Sequence, residues 1–223
     1  MSVQLLNQQI DGVAIVDDEP QSRTSYGYTI ENADLTPISE NGPLGTLDQY
    51  LQNGAVEARA QAGLCDFQLS ARAYAAFSGA QLVSNWYRRG FPALLCTRFE
   101  KAQIERIRPY RRWIPVLIKP AELTEDTLVM GLEECIHELQ VGFRPTRRPW
   151  RVQVHFLLKD EDINDGFFVE IPGWEPNEVI RIHLSDLPDD IQPLVREDYR
   201  CHAQANLAAE YPEDLYLCDW EGE

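Results

Sequence analysis

Three carboxylates, a hydroxyl and an amine stand at the ends of apolar runs in this sequence. Asp17 and Asp18 follow Val13-Ala14-Ile15-Val16, Asp66 follows Ala62-Gly63-Leu64-Cys65, Thr97 follows residues 91–96, and Lys119 follows residues 114–118. Two adjacent carboxylates repel one another unless a proton or a cation separates them, and hard oxygen ligands of this kind favour Mg²⁺. Taken singly, each polar residue could mark no more than the point where a strand leaves a core, and Asp17-Asp18-Glu19 could be a solvated acidic turn. Their order along the chain is far more specific than any one of them.

The elements that must position these groups can be read from the same pattern. An unbroken apolar run such as 13–16 suits a strand covered on both faces, as in a parallel sheet. Pro20 is tolerated in the first turn of a following helix, predicted to run to about Asn32. A short strand over 35–38 contains Pro37, which suits an edge position. After a turn at 41–45, Leu47, Tyr50, Leu51, Ala55 and Ala58 recur at helical spacing and predict a helix over 46–60. Further helices are predicted over 79–89, with Gly90 as the stop, over 99–108 and over 122–140. Strands alternating with helices indicate parallel βα units, in which ligands bind beyond the carboxyl ends of the strands.

On these residues the stretch from about 10 to 140 resembles the receiver domain of two-component response regulators. The resemblance implies a flavodoxin-like doubly wound parallel sheet of order 2-1-3-4-5. It further implies that Asp66 is the phosphoacceptor and that Asp17, Asp18, Asp66 and the backbone carbonyl of Gln68 hold Mg²⁺. Thr97 and Lys119 would contact the phosphoryl group. The implied partner is a sensor histidine kinase or phosphotransfer protein, and a homodimer through the fourth and fifth helices is a further expectation. The residue types agree with the chemistry. A carboxylate can form an aspartyl phosphate, while a fixed ammonium and a hydroxyl stabilise its oxygens. Three positions depart from the pattern: Asp66 is followed by Phe67-Gln68-Leu69-Ser70 without the usual proline and glycine, Arg98 replaces a small residue, and Val116 replaces an aromatic one. Arg98 and Val116 are therefore candidate modulators of lifetime and readout.

The run Phe143-Arg144-Pro145-Thr146-Arg147-Arg148-Pro149 reads as a boundary, giving a receiver over 1–142 and a small α+β domain over 143–223. Residues 150–158 alternate as a half-buried strand, with further strands predicted over 167–171, 178–184 and 215–218 and a mainly helical stretch over 187–210. His155 and His183 fall at positions read as solvent-facing. The arginines at 144, 147, 148 and 151 are read as pairing an acidic protein to itself.

The chain has 223 residues and a net charge of −16, which argues against general binding to nucleic acid or anionic membranes, since phosphate contacts need basic clusters. The C-terminal part shows no helix-turn-helix and no zinc-binding spacing. Five scattered cysteines without a CxxC pair are read as reduced packing residues. No long apolar run is present, and a cytoplasmic protein is expected. The function expected is phosphoryl acceptance at Asp66, transmitted by protein contacts through an output that does not bind DNA. The rivals are a receiver-gated enzyme or small-molecule module in 143–223, and a degenerate receiver serving as an adaptor.

Overall fold

The computed structural model describes residues 3–54, 56–98, 101–161, 165–175 and 178–222. They form two compact units. One comprises Met1–Gln103 with Trp113–Gly142, and the other Ile104–Arg112 with Phe143–Glu223. Residues 104–112, expected with the first domain, are thus part of the second unit.

The first unit opens with a hairpin, β1 (Val3–Leu5) and β2 (Gln8–Ile10), that the sequence reading did not anticipate. There follow β3 (Gly12–Val16), α1 (Pro20–Asn32), β4 (Thr36–Ser39), α2 (Leu47–Asn53), β5 (Ala62–Asp66), α3 (Gly79–Arg88), β6 (Ala93–Cys96), α4 (Lys101–Ile107), whose residues from Ile104 on belong to the second unit, β7 (Leu117–Ile118) and α5 (Glu125–Gln140). The five strands β4-β3-β5-β6-β7 lie side by side in that order, all parallel. In strand succession this is 2-1-3-4-5, the flavodoxin-like order, with its switch point between β3 and β5. β3 is wholly buried, as its unbroken apolar run requires. β4, which contains Pro37, is an edge strand.

Local chemistry accounts for the helix limits. α3 begins at Ser78, whose hydroxyl accepts from the Gln81 amide while the Gln81 side chain returns to the Ser78 amide, a reciprocal cap. Its buried face carries Leu82, Val83 and Trp86, each contributing about 1.5–3 kcal/mol on burial. α2 is shorter than the predicted 46–60, because Gly54 adopts φ +53 and closes it after Asn53. The strand predicted over 114–118 is reduced to Leu117–Ile118. The expected start of α4 at Phe99 lies outside the described residues.

The second unit is built on an antiparallel sheet, β10-β9-β8-β11-β12. Its strands are β8 (Trp150–Lys159), β9 (Gly166–Glu170), β10 (Val179–His183), β11 (Arg200–Ala205) and β12 (Leu217–Glu221). The helix expected over 187–210 is not formed. Residues 184–194 make two 3₁₀ turns, and 200–205 form the strand β11 between β8 and β12. One face of the sheet buries Val152, Val154, Phe156, Val169, Cys201 and Ala203 in a core of its own. His155, expected to face solvent, is only 9% exposed and sits between Glu170 and Asp198.

Candidate functional site

The carboxyl ends of four adjacent strands bring the candidate residues to one edge of the parallel sheet. Asp17 and Asp18 follow β3, and Asp66 is the last residue of β5. Asp66 pairs in register with Cys96, and the Phe67 amide donates to the Cys96 carbonyl at 3.0 Å, so Thr97 lies one residue beyond the acceptor's neighbour. The Thr97 amide in turn donates to the Ile118 carbonyl at 2.9 Å, which places Lys119 on the next strand end. The ordered set read from the sequence thus becomes a spatial set.

The three carboxylates sense one another. Asp17 is 3% exposed. Burial raises its pKa to about 6, with Asp18 and Glu19 adding to the rise and the hydrogen bond from the Glu19 amide and the charge of Arg23 opposing it. Asp66 is pushed up to about 7, first by burial and then by the charge of Asp17, while amide bonds from Gln68 and Phe67 act in the opposite direction. A buried acid and a half-buried one, both raised and beside a third, are what a divalent cation would relieve. Mg²⁺ is ordinarily bound through one or two carboxylates while keeping several waters, and the donors here suit that pattern. Among the described residues, no three His, Cys, Asp or Glu side chains form a ready-made metal cage.

Backbone amides and arginines frame the acids. The Glu19 amide donates to Asp17 at 2.7 Å, the Gln68 amide to Asp66 at 2.8 Å, and the Ala71 amide to Asp18 at 2.6 Å. Arg23 donates to the carbonyl of Asp17 and lies over the Tyr74 ring. Gly79 opens α3 so closely against β5 that a Cβ there would stand 1.9 Å from the Asp66 carbonyl oxygen. Only glycine fits this approach. Burial holds the neighbouring thiols in their protonated form, Cys65 well above its ordinary value and Cys96 at about 12.

Thr97 is buried, and its hydroxyl donates to the Gln103 side-chain carbonyl at 2.8 Å. Lys119 pairs with Glu122 at 3.2 Å. Of the candidate modulators, Arg98 is exposed beside Thr97, while Val116 is half-buried and accepts the Leu95 amide through its carbonyl. The sequence reading did not single out Arg23, Ala71, Gly79 or Gln103. Only Gly79 left a signal, as the glycine directly after the capping Ser78.

No protein-family model matches the sequence, and no curated protein matches it. Solved structures do. A signal receiver domain of a modulated diguanylate cyclase from Desulfovibrio desulfuricans is 16% identical, with 59% of this chain and 98% of that chain covered at a TM-score of 0.46. A response regulator receiver domain protein from Clostridium thermocellum is 9% identical, with 60% and 99% covered at 0.44. A response regulator receiver protein from Pseudoalteromonas atlantica is 15% identical, with 58% and 99% covered at 0.41. Each of these likenesses spans about three-fifths of this chain and nearly the whole of the matched chain, and the C-terminal part of the chain lies outside them.

Proposed function

We propose that the first unit is a signalling receiver that accepts a phosphoryl group on Asp66 from a phosphohistidine of a sensor kinase or phosphotransfer protein. The observation that carries this reading is the coupling of Asp17, Asp18 and Asp66 at adjacent strand ends, with Asp17 and Asp66 driven toward neutrality by burial and mutual repulsion.

In this reading an Asp66 carboxylate oxygen attacks phosphorus, the P–N bond breaks, and the imidazole leaves with the bonding pair and takes up a proton. Mg²⁺, held by Asp17, Asp18, Asp66 and the Gln68 carbonyl, would supply the positive charge that lets a dianion approach an acidic pocket. The Gln68 amide orients the Asp66 carboxylate, and Gly79 fixes the backbone behind it. Thr97 and Lys119, on the two following strand ends, offer a hydroxyl and an ammonium to the phosphoryl oxygens. The second unit would act through protein contacts, since a chain of net charge −16 is poorly suited to neutralising nucleic-acid phosphates. A cavity within it, bordered by Glu105, Arg108, Arg181 and Trp220, encloses about 20 Å³, room for a single water.

The test is intact-mass measurement after incubation with a small phosphoryl donor and Mg²⁺, followed by mapping of the adduct. One phosphoryl increment on Asp66, absent with chelator and absent in Asp66→Asn, is expected. A full increment in Asp66→Asn would refute the assignment.

A further inference from the structure

The segment joining β5 to α3, residues 67–78, is much longer than the two to six residues usual for such a connection. It is nonetheless built into the fold. Phe67, Leu69, Tyr74 and Phe77 are all less than 10% exposed. The Leu44 amide donates to the Tyr74 carbonyl at 2.6 Å, the Ala76 amide to the Gly45 carbonyl at 2.9 Å, and the Tyr74 hydroxyl to the Glu40 carbonyl at 2.6 Å. The tip of the segment reaches the acids, where the Ala71 amide bonds Asp18.

Immediately after that contact the backbone is strained. Arg72 and Ala73 are both left-handed, with φ +55 and +54, a conformation that costs residues other than glycine energy and persists only where surrounding bonds impose it. Its effect is to start the Arg72 side chain at the rim of the acidic pocket. The guanidinium lies 3.8 Å from Glu19, which directly follows the acidic pair, and the two side chains are 68% and 47% exposed. An exposed pair at this distance is weak and easily exchanged for a stronger one.

Nearby cations are differently engaged. Arg23 is tied to the Asp17 carbonyl and the Tyr74 ring, and Lys119 pairs with Glu122. Arg72 offers a planar fork suited to a tetrahedral dianion, on the segment that follows the acceptor. Resting on the reading of Asp66 as the acceptor, we propose that Arg72 is a phosphoryl-binding residue: it leaves Glu19 when Asp66 gains charge and donates two hydrogen bonds to the phosphoryl oxygens. The stapled backbone stays in place, and only the side chain exchanges partners.

The test uses the full chain and beryllofluoride with Mg²⁺ as the phosphoryl mimic, with affinity measured by calorimetry. Arg72→Ala should weaken binding by about tenfold, the scale of one charge-assisted contact, and Arg72→Lys should restore part of the loss. Glu19→Gln should tighten binding, because the competing carboxylate is gone, and that gain should vanish in the double variant with Arg72→Ala. A merely structural pair would instead weaken binding in both single variants. If the wild type binds the mimic and Arg72→Ala binds it equally well, the Arg72 assignment is overturned while the acceptor reading stands. If the wild type binds no mimic, both fall.

Discussion

Removing the charge of Asp17 should make the protein more stable near neutral pH. An acid raised from 3.8 to about 6 in the folded state binds its proton more tightly folded than unfolded, so folding is penalised once the solution pH deprotonates it. The penalty is absent below about pH 4, grows between about pH 4 and 6, and is constant above. Roughly two units at 1.36 kcal/mol each set a ceiling of about 3 kcal/mol, and at 3% exposure solvent does little to screen it. In Asp17→Asn the amide oxygen can still accept the Glu19 amide, while Arg23 loses a partner charge, so a net gain of about 1–2 kcal/mol is expected. Urea unfolding followed by circular dichroism, without Mg²⁺, at about pH 7.5 and about pH 4, measures both limits. Millimolar Mg²⁺ should stabilise the wild type at the higher pH and leave the variant nearly unchanged. A variant no more stable than wild type at about pH 7.5, or a gain of equal size at about pH 4, would refute the reasoning.

Gly79→Ala should cost about 1–3 kcal/mol, since its methyl would have to displace the Asp66 carbonyl; unchanged stability with unchanged phosphorylation would show that the approach is not as tight as described. Arg108→Met should destabilise the second unit by about 2–4 kcal/mol, because Arg108 is buried and donates to the Pro212 and Leu215 carbonyls; a neutral denaturation midpoint would contradict that role. Titration of labelled duplex DNA at physiological salt should show no binding, and salt-sensitive binding would overturn an output through protein contacts.

The parallel sheet and its charged edge were legible because both depend on local signals. Apolar runs ending at Asp17, Asp66 and Thr97 reveal buried strands and their exits, and Gly90 marks where the helix before it stops. What escaped depends on partners distant in sequence. The run Arg200 to Ala205 alternates correctly for a strand, but Cys201, Ala203 and Ala205 are small and lack the β-branched signature, and only pairing with β8 and β12 makes the segment extended. Arg108 and Arg111 drew no reading from the sequence, and they are 8% and 4% exposed because carbonyls and a carboxylate at 212–215 receive them. His155 was misplaced for the same reason, since Glu170 and Asp198 supply the polar partners that permit its burial. At the site itself, the amide of Ala71 on Asp18 could not be foreseen, because nothing in the residue type of an alanine signals its backbone.

The membership of residues 104–112 in the second unit bears on how such a protein could be dissected or recombined. A chain that enters this unit at Ile104, leaves after Arg112 and returns at Phe143 is not divided into its parts by a single cut. A fragment ending at Gly142 keeps Arg108 and Arg111 but loses the carbonyls they donate to, so two guanidiniums and the buried Ile104 and Ile107 would have to be resolvated or repacked. A fragment beginning at Phe143 lacks those donors, and it also lacks the Arg112 carbonyl that receives Arg147. The second unit is therefore unlike a tail that can be transplanted onto any parallel α/β unit. A functional graft would have to carry the stretch between β6 and β7 along with everything after Gly142.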